Sequence, residues 1–114
     1  MQPDDQSLLL DMLIAARQAS KYVRDVTLTD FHASEVLQDA VIRQVQIIGE
    51  AASQLSLALR AAHREIPWDD IIGMRHRLVH DYRRINRDIV WATVHEALPG
   101  LIAALEPLVP PPED

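Results

Sequence analysis

Apolar side chains recur every three or four residues along most of the chain, a pattern that predicts helices rather than strands. The first stripe predicts a helix over about residues 5–26, with Asp4 or Asp5 placed to cap its exposed amides. This stripe consists of Leu9, Met12, Ala16, Ala19, Val23 and Val26. The capping and turn residues from Thr27 to Asp30 predict a break before the next helix.

The most regular pattern predicts one long second helix of about 28 residues, roughly 40 Å in length. Its polar side chains gather on the opposite side from the apolar ones. A helix of that length is typical of the backbone of a bundle or of an interface element. The apolar face is formed by Leu37, Val41, Val45, Ile48, Ala52, Leu55 and Leu59.

The C-terminal half predicts two further helices. Pro67 suits the first position of one of them, which Gly73 is expected to interrupt or tighten. Asn86 is the predicted N-cap of the last helix, and Pro99-Gly100 should kink or split that helix because proline has no amide hydrogen. Regular structure should end near Leu108.

These elements predict an all-α protein, an up-and-down bundle of four main helices with a short extra helix near Pro67. Residues 1–108 are expected to form one domain and residues 109–114 an extended, proline-rich tail. A length of 114 residues suits a single core. The chain lacks cysteine, and its acidic start does not resemble a signal peptide, so we expect a cytoplasmic protein without disulfides.

The charge distribution changes this picture. The formal net charge of −6 argues against nonspecific nucleic-acid binding. The segment from Met74 to Arg87 nevertheless holds five arginines and one acid, Asp81, so it carries +4 and the rest of the chain carries −10. A basic island on an acidic body indicates a phosphate site, although an arginine-rich turn paired with acids elsewhere explains the composition equally well. The arginines are Arg75, Arg77, Arg83, Arg84 and Arg87.

Candidate chemistry is concentrated in the segment from Arg75 to Tyr82, which contains two imidazoles, two guanidiniums and a phenol. Cleavage of RNA without a metal needs groups that move protons and cations that hold the phosphate. Histidine and arginine supply both. On an ideal helix Arg75 and His80 lie about 140° apart, so one isolated helix makes a poor complete site. We therefore expect a site assembled from two copies across a two-fold axis.

Other interpretations of these residues remain open. His76 and His80 have the spacing of paired metal ligands, but they lack an intervening glutamate and a cysteine partner, so no metal site is expected. Taken by itself, without its neighbours, Tyr82 is interpreted most simply as a packing residue at a helix end with its hydroxyl in water. The isolated histidines and the two tryptophans are interpreted as surface and core residues respectively. They are His32, His63, His95, Trp68 and Trp91.

Arg75-x4-His80-x-Tyr82 resembles the R-x4-H-x-Y signature of HepT-like HEPN proteins. The resemblance spans about residues 8 to 102 in the right order. It includes the segments 38–43 and 47–52, the approach to the motif over 66–75, and Val90-Trp91. One departure is His76, since the position after the arginine is often asparagine.

This resemblance implies a HEPN-like helical bundle that dimerises and cleaves RNA without a metal at a cleft between protomers. Arg75 would bind phosphate and His80 would transfer protons, with His76 and Arg77 as auxiliary or substrate-binding residues. The resemblance also implies a toxin whose partner is a minimal nucleotidyltransferase antitoxin, which would silence it by adding AMP to Tyr82. The alternative is a noncatalytic helical partner or substrate-binding subunit of a nucleotidyltransferase, but the complete motif favours the enzyme.

Overall fold

The computed structural model describes residues 3–80 and 84–109, with side chains for 4–78 and 84–109. Within these ranges there are helices and no strands, so the all-α prediction is confirmed. A π-helical turn, Thr93–Ala97, joins the last two α-helices, and a 3-10 turn, Glu106–Leu108, follows them. The α-helices are α1 (Pro3–Tyr22), α2 (Leu28–Ala33), α3 (Glu35–Gln54), α4 (Leu57–Ala62), α5 (Trp68–His80), α6 (Arg87–Ala92) and α7 (Leu98–Leu105).

Helix α3 is the centre of the bundle, because it packs along α1 on one side and along α5 on the other. The C-terminal helices close the core by packing α7 against α1. Helix α2 is short, but it contributes the fully buried Phe31. The predicted apolar stripes therefore face one shared core, as expected for a helical bundle. The buried apolar residues that α3 contributes to this core are Val41, Ile42, Val45, Ile48, Ala51 and Ala52.

Helix α1 ends at Tyr22, four residues before the predicted end at Val26. The difference arises at Asp25, whose φ of 59° lies in the left-handed region and cannot continue a right-handed helix. Thr27 then begins α2 with a capping box, in which its hydroxyl accepts from the Asp30 amide at 3.1 Å. The break predicted at Thr27–Asp30 is thus the start of a short helix.

The prediction of one long second helix is wrong, since the structure has two helices, α3 and α4, separated at Leu55 and Ser56. Leu55 is extended, with φ −62° and ψ 146°, and Ser56 is the N-cap of α4. The cause is Asp5 of α1, which is 2 % exposed. Its carboxylate accepts from the Ser56 amide at 2.9 Å and from the Ser56 hydroxyl at 2.7 Å, and these bonds replace a helical continuation.

The buried Gln38 joins three elements. Its amide nitrogen donates to the carbonyls of Phe31 and His32 at 3.0 and 3.1 Å, at the end of α2. Its amide oxygen accepts from Nε of Arg87 at 3.3 Å, at the start of α6. All the polar atoms of this side chain are therefore satisfied inside the protein, which is the condition for burying an amide without a large cost.

The last helix begins as predicted, with the Asn86 side chain accepting from the amides of Asp88 and Ile89. Pro99 does not split it. Instead, the π-helical turn shifts the hydrogen-bond register before the proline, so that the Leu98 amide bonds to the Thr93 carbonyl. The helix then continues to Leu105, and the 3-10 turn ends at Leu108, as predicted. The predicted tail falls outside the described residues, except for an extended Val109.

Helix α5 begins just after Pro67 and runs through Gly73 without interruption, so the expected break at that glycine is absent. The short additional helices of the bundle are α2 and α4 instead. The residues from Arg75 to His80 therefore lie on one continuous helix.

The segment Arg87–Leu108 contains an 18-residue stretch with a mean hydropathy of 1.2, so by length and composition alone it is apolar enough to cross a membrane. One face of it is nevertheless buried in the protein, through Val90, Val94, Leu98, Leu101 and Leu105. Apolar residues on one buried face are what the core helix of a helical bundle requires.

We predict that Asp5→Ala lowers the free energy of unfolding by about 1–3 kcal/mol, because the partly buried Ser56 amide and hydroxyl lose their acceptor. Asp4→Ala is the matched control, since Asp4 is exposed in the same first turn. Urea unfolding followed by circular dichroism measures both. Equal stability of the two variants would show that the Asp5–Ser56 contact does not hold the helices together.

Candidate active site

Gly49 lets α3 and α5 approach each other closely at the position of Arg75. A Cβ atom added at Gly49 would overlap the Arg75 Cβ and would lie 2.9 Å from its Cγ and 3.1 Å from the Ile71 carbonyl oxygen. Only glycine fits this contact without a shift of the helices. The stem of Arg75 therefore lies directly on the backbone of α3.

The Arg75 guanidinium is held at the edge of this contact by Glu50. Its Nη2 lies 2.6 Å from Oε2 of Glu50, while the two side chains are 33 % and 48 % exposed. An ion pair with that exposure adds at most about 1 kcal/mol to stability, so its main effect is on orientation. Only one nitrogen of the guanidinium is used, and among the described residues the other two have no partner.

Two glutamines reinforce this part of the α3–α5 contact. The Gln54 amide donates to Oε1 of Glu50 at 3.0 Å, which fixes the carboxylate that holds Arg75. Gln46 lies one turn before Glu50 and donates to the Leu78 carbonyl at 3.4 Å. Helix α5 is thus attached to α3 by polar contacts at Arg75 and, about one turn later, at Leu78, as well as by packing.

The outward face of α5 is exposed at Gly73, His76 and Arg77. A Cβ atom added at Gly73 would meet nothing within 4 Å, so the chain's own packing does not require glycine there. His80 is the last residue of α5, but its side chain is outside the described residues, as is the whole of Tyr82. The structure therefore describes the surroundings of Arg75, His76 and Arg77, and the predicted roles of His80 and Tyr82 stay predictions.

The five arginines of the basic island do not form one surface. Arg87 is structural, because its Nε bonds to Gln38 and its Nη1 donates to the Ile85 carbonyl at 2.7 Å. Arg75 is held by Glu50, whereas Arg77 and Arg84 are exposed. Arg83 lies outside the described residues. Some of the charge of the island is thus engaged in the fold and some faces solvent, and the interpretation as a phosphate site stays a prediction.

The isolated aromatic residues and histidines follow the predictions in part, since Trp68 is buried and His32 and His95 are exposed, whereas Trp91 and His63 are half-buried. Trp68 is buried, and its indole donates to the His63 carbonyl at 3.0 Å. Trp91 packs between Phe31 and His95, with ring centroids 5.3 and 4.0 Å away. His32 is paired with an acid on α6 rather than with the Arg75 region. In the part of the chain that the structure describes, no group of three metal-ligating side chains comes together.

Comparison with known proteins decides the family. The HepT-like ribonuclease family matches residues 12–108, which include α3, α5 and the whole R-x4-H-x-Y motif. The chain belongs to this family. The match covers the Gly49–Arg75 contact and the Glu50 pair, so these contacts lie within the family domain.

Several relatives of this HepT-like chain are named as ribonucleases. A candidate RNase of Caldanaerobacter subterraneus subsp. tengcongensis is 38% identical over 79 residues, or 69% of this chain and 70% of that protein. A candidate ribonuclease HepT of Thermococcus cleftensis is 32% identical over 95% of this chain and 98% of its own length. A candidate RNase of Methanocaldococcus jannaschii is 29% identical over 90% of this chain and 94% of its own length. No solved structure matches the chain.

Glu50 and Gly49 are the residues of this HepT-like site that sequence reasoning did not place. Both residues fall in the segment 47–52 of the resemblance to HepT-like proteins, which assigns a role to neither of them. A signal was present, because a glycine inside a long amphipathic helix costs about 1 kcal/mol relative to alanine and so suggests a packing requirement. Which residue it accommodates depends on how α5 is docked, and this comes only from the structure.

We predict that Gly49→Ala lowers the free energy of unfolding by about 1–3 kcal/mol, because the new methyl group forces α3 away from Arg75. Gly100→Ala is the matched control, since a Cβ there meets nothing within 4 Å. That control should raise stability by up to about 1 kcal/mol through helix propensity. Denaturant unfolding gives both values, and a stabilising Gly49→Ala would contradict the close contact.

Proposed function

We propose that this HepT-like protein is a metal-independent endoribonuclease and the toxin component of a toxin–antitoxin system. The observation that carries the proposal is the position of the Arg75 guanidinium. Its Nη2 lies 2.6 Å from Oε2 of Glu50 in a partly exposed ion pair. No described residue engages its other two nitrogens, which are therefore proposed to bind a ligand. Family membership supports RNA as the substrate. The complete motif from Arg75 to Tyr82 supports catalysis rather than binding alone.

In the proposed reaction, the 2′-hydroxyl of the RNA attacks the adjacent phosphorus. A 2′,3′-cyclic phosphate forms, the bond to the 5′-oxygen breaks, and the 2′-hydroxyl proton leaves while the 5′-oxygen gains one. His80 transfers protons, because imidazole both accepts and donates near neutral pH. Arg75 binds the phosphate and stabilises the charge that builds on its oxygens. His76, which is exposed on the same helix, is proposed to assist or to orient substrate.

Glu50 is proposed as a positioning residue for Arg75. Because it engages one nitrogen, it fixes the direction of the guanidinium plane and leaves the remaining donors for phosphate. Gln54 holds the second carboxylate oxygen, so the carboxylate cannot easily rotate to bind Arg75 through both of its own oxygens. The arrangement combines a fixed cation with open donors, as stabilisation of a developing charge requires.

The active unit is proposed to be a homodimer. Arg75 lies against α3, whereas the helical position of His80 is about 140° further round α5, so a second protomer is needed to bring the two functions together. The exposed outward face of α5 supports this arrangement, since Gly73 leaves open space there that a second helix can use. The domain of residues 1–108 is proposed to be cytoplasmic, where RNA and an antitoxin would both be available.

The antitoxin is proposed to be a minimal nucleotidyltransferase that adds AMP to the Tyr82 hydroxyl. The tyrosine oxygen attacks the α-phosphorus of ATP, diphosphate leaves and the phenolic proton is released. The added phosphate places negative charge two residues from His80, where it would compete with RNA phosphate for the arginines. This control depends on the family motif and on the position of Tyr82 in the sequence.

Purified protein should cleave single-stranded RNA in EDTA and leave 2′,3′-cyclic phosphate ends. His80→Ala should lower the rate by at least about 100-fold while the circular dichroism spectrum is unchanged, because a proton-transfer group is lost. The control, His95→Ala, removes an exposed histidine stacked on Trp91 and should keep the rate. A strict requirement for added metal would overturn the mechanism. Stable binding of the nucleotidyltransferase without RNA turnover would favour the noncatalytic alternative.

Gly73→Gln should weaken dimerisation and lower ribonuclease activity together, because the longer side chain occupies the face proposed to meet the second protomer. Within one chain it has open space, so the monomer should fold. Gly100→Gln is the matched control, with equal space and no place on α5. Analytical ultracentrifugation and cleavage assays over a range of protein concentrations measure the effect. A monomeric variant with full activity would rule out the composite site.

Coexpression with the nucleotidyltransferase should raise the mass of the protein by one or more AMP units and should inhibit RNA cleavage. Tyr82→Phe should abolish the mass increase because it lacks the acceptor oxygen. Tyr22→Phe, at the end of α1, is the control and should be modified normally. Intact-mass spectrometry followed by peptide mapping locates the adduct, and an adduct on any other residue would contradict the assignment.

A further inference from the structure

A second pocket lies between α5 and α6, away from the Arg75–Glu50 pair. It has a volume of about 240 Å³. Its floor is apolar, formed by the buried Leu78 and Val90 and by the half-exposed Ile89. Two arginines, Arg77 of α5 and Arg84 shortly before α6, also line it.

The charge of this pocket is not neutralised by the side chains that line it. Arg77 and Arg84 are both exposed, and neither forms an ion pair with any described residue. No acid is among the described residues of the lining. Arg75 and Arg87, by contrast, are held by Glu50 and by Gln38. Two exposed guanidiniums that form no ion pair with a described residue thus lie at one pocket, on a protein with a net charge of −6, and such a pair can attract an anion locally.

Asn86 adds a fixed polar group to the lining. Its side-chain oxygen accepts from the amides of Asp88 and Ile89, which sets the orientation of the side chain. The nitrogen of the same amide is not used in this cap, and no described residue engages it. The pocket thus combines charged donors, a neutral donor and an apolar floor, which suit a phosphate and the apolar faces of the attached nucleoside.

We propose that this pocket binds one nucleotide of single-stranded RNA at a position separate from the Arg75 site. Arg77 and Arg84 hold its phosphate, and the base lies on the apolar side formed by Ile89 and Met74. The volume of about 240 Å³ is below the roughly 300–1,000 Å³ of clefts for drug-sized ligands, so the pocket encloses part of one nucleotide and leaves the rest in solvent. The identity of the ligand as substrate RNA depends on the ribonuclease function proposed above.

The pocket and the Arg75 site lie on different sides of α5. Arg77 is two residues after Arg75, so it lies about 3 Å further along the helix axis and about 160° round it. An RNA strand that occupies both places has to pass around a helix about 10–12 Å wide, which is more than one nucleotide spans. The pocket therefore binds a nucleotide that is not directly adjacent to the one at Arg75.

The test uses fluorescein-labelled 2′-O-methyl RNA, which lacks the attacking hydroxyl and so reports binding without cleavage. Fluorescence anisotropy at several salt concentrations gives the Kd and its salt dependence for wild type and for Arg77→Gln/Arg84→Gln. The double variant should raise the Kd about tenfold at about 100 mM salt and should lower the slope of log K against log salt by about 0.7–1.4. Arg24→Gln/Arg64→Gln removes two exposed arginines elsewhere and is the control for net charge.

A second variant tests the contact with the base. Ile89→Ser should raise the Kd about threefold without changing the salt slope, because it removes apolar surface and no charge. A normal Kd for Ile89→Ser would overturn the nucleotide site and leave only a phosphate contact. A pocket variant that binds RNA like the control pair but fails to bind the nucleotidyltransferase would assign the pocket to a protein partner and overturn the proposal.

The outcomes separate this pocket from the ribonuclease function. Wild-type protein that binds RNA through Arg77 and Arg84 but does not cleave it in EDTA contradicts the catalytic proposal alone. Wild-type protein that cleaves, with the pocket variant equal to the control in Kd, slope and KM, contradicts the pocket alone. If both proposals hold, the pocket variant should lose activity mainly through a higher KM.

Discussion

The close contact of Arg75 with the backbone of α3 at Gly49 sets the geometry on which the candidate site depends. Glycine at this position lets α5 lie deep against α3, and that depth brings the guanidinium within 2.6 Å of Glu50. Two neighbouring residues of α3 therefore have complementary effects on one arginine. Gly49 gives space to the stem of the side chain, and Glu50 orients its charged end. The same contact thus determines both the packing of α5 on α3 and the orientation of the Arg75 guanidinium.

The described arginines between Met74 and Arg87 are close in sequence but differ in their contacts and exposure. Arg87 serves the fold through Gln38, Arg75 is oriented by an acid, and Arg77 and Arg84 are open to solvent. This division explains how an acidic protein can present a local surface for an anion. Arg75, oriented by Glu50, is suited to stabilising charge during a reaction. The exposed Arg77 and Arg84 are suited to attracting a polyanion.

Sequence periodicity predicted the helical class, the core-facing stripes, the Asn86 cap and the end near Leu108, because these depend on local pattern. It failed where a distant residue decides the backbone. Leu55 and Ser56 continue the apolar and polar pattern of α3, yet Asp5, 51 positions away, captures the Ser56 amide and ends the helix. The pairing of Arg75 with Glu50 was out of reach for the same reason, since it requires the docking of α5 on α3. The motif identified the candidate residues, and the structure added the orientation of the Arg75 guanidinium.

The Asp5–Ser56 contact also bears on how the chain acquires its structure during synthesis. Asp5 leaves the ribosome 51 residues before Ser56, whose amide and hydroxyl donate to its carboxylate. A carboxylate that is buried before these donors are present would lose hydration without gaining those two hydrogen bonds. Formation of this one contact secures α1, begins α4 and fixes the length of α3. The first turn of α1 is therefore expected to reach its final position only after α4 has been synthesised.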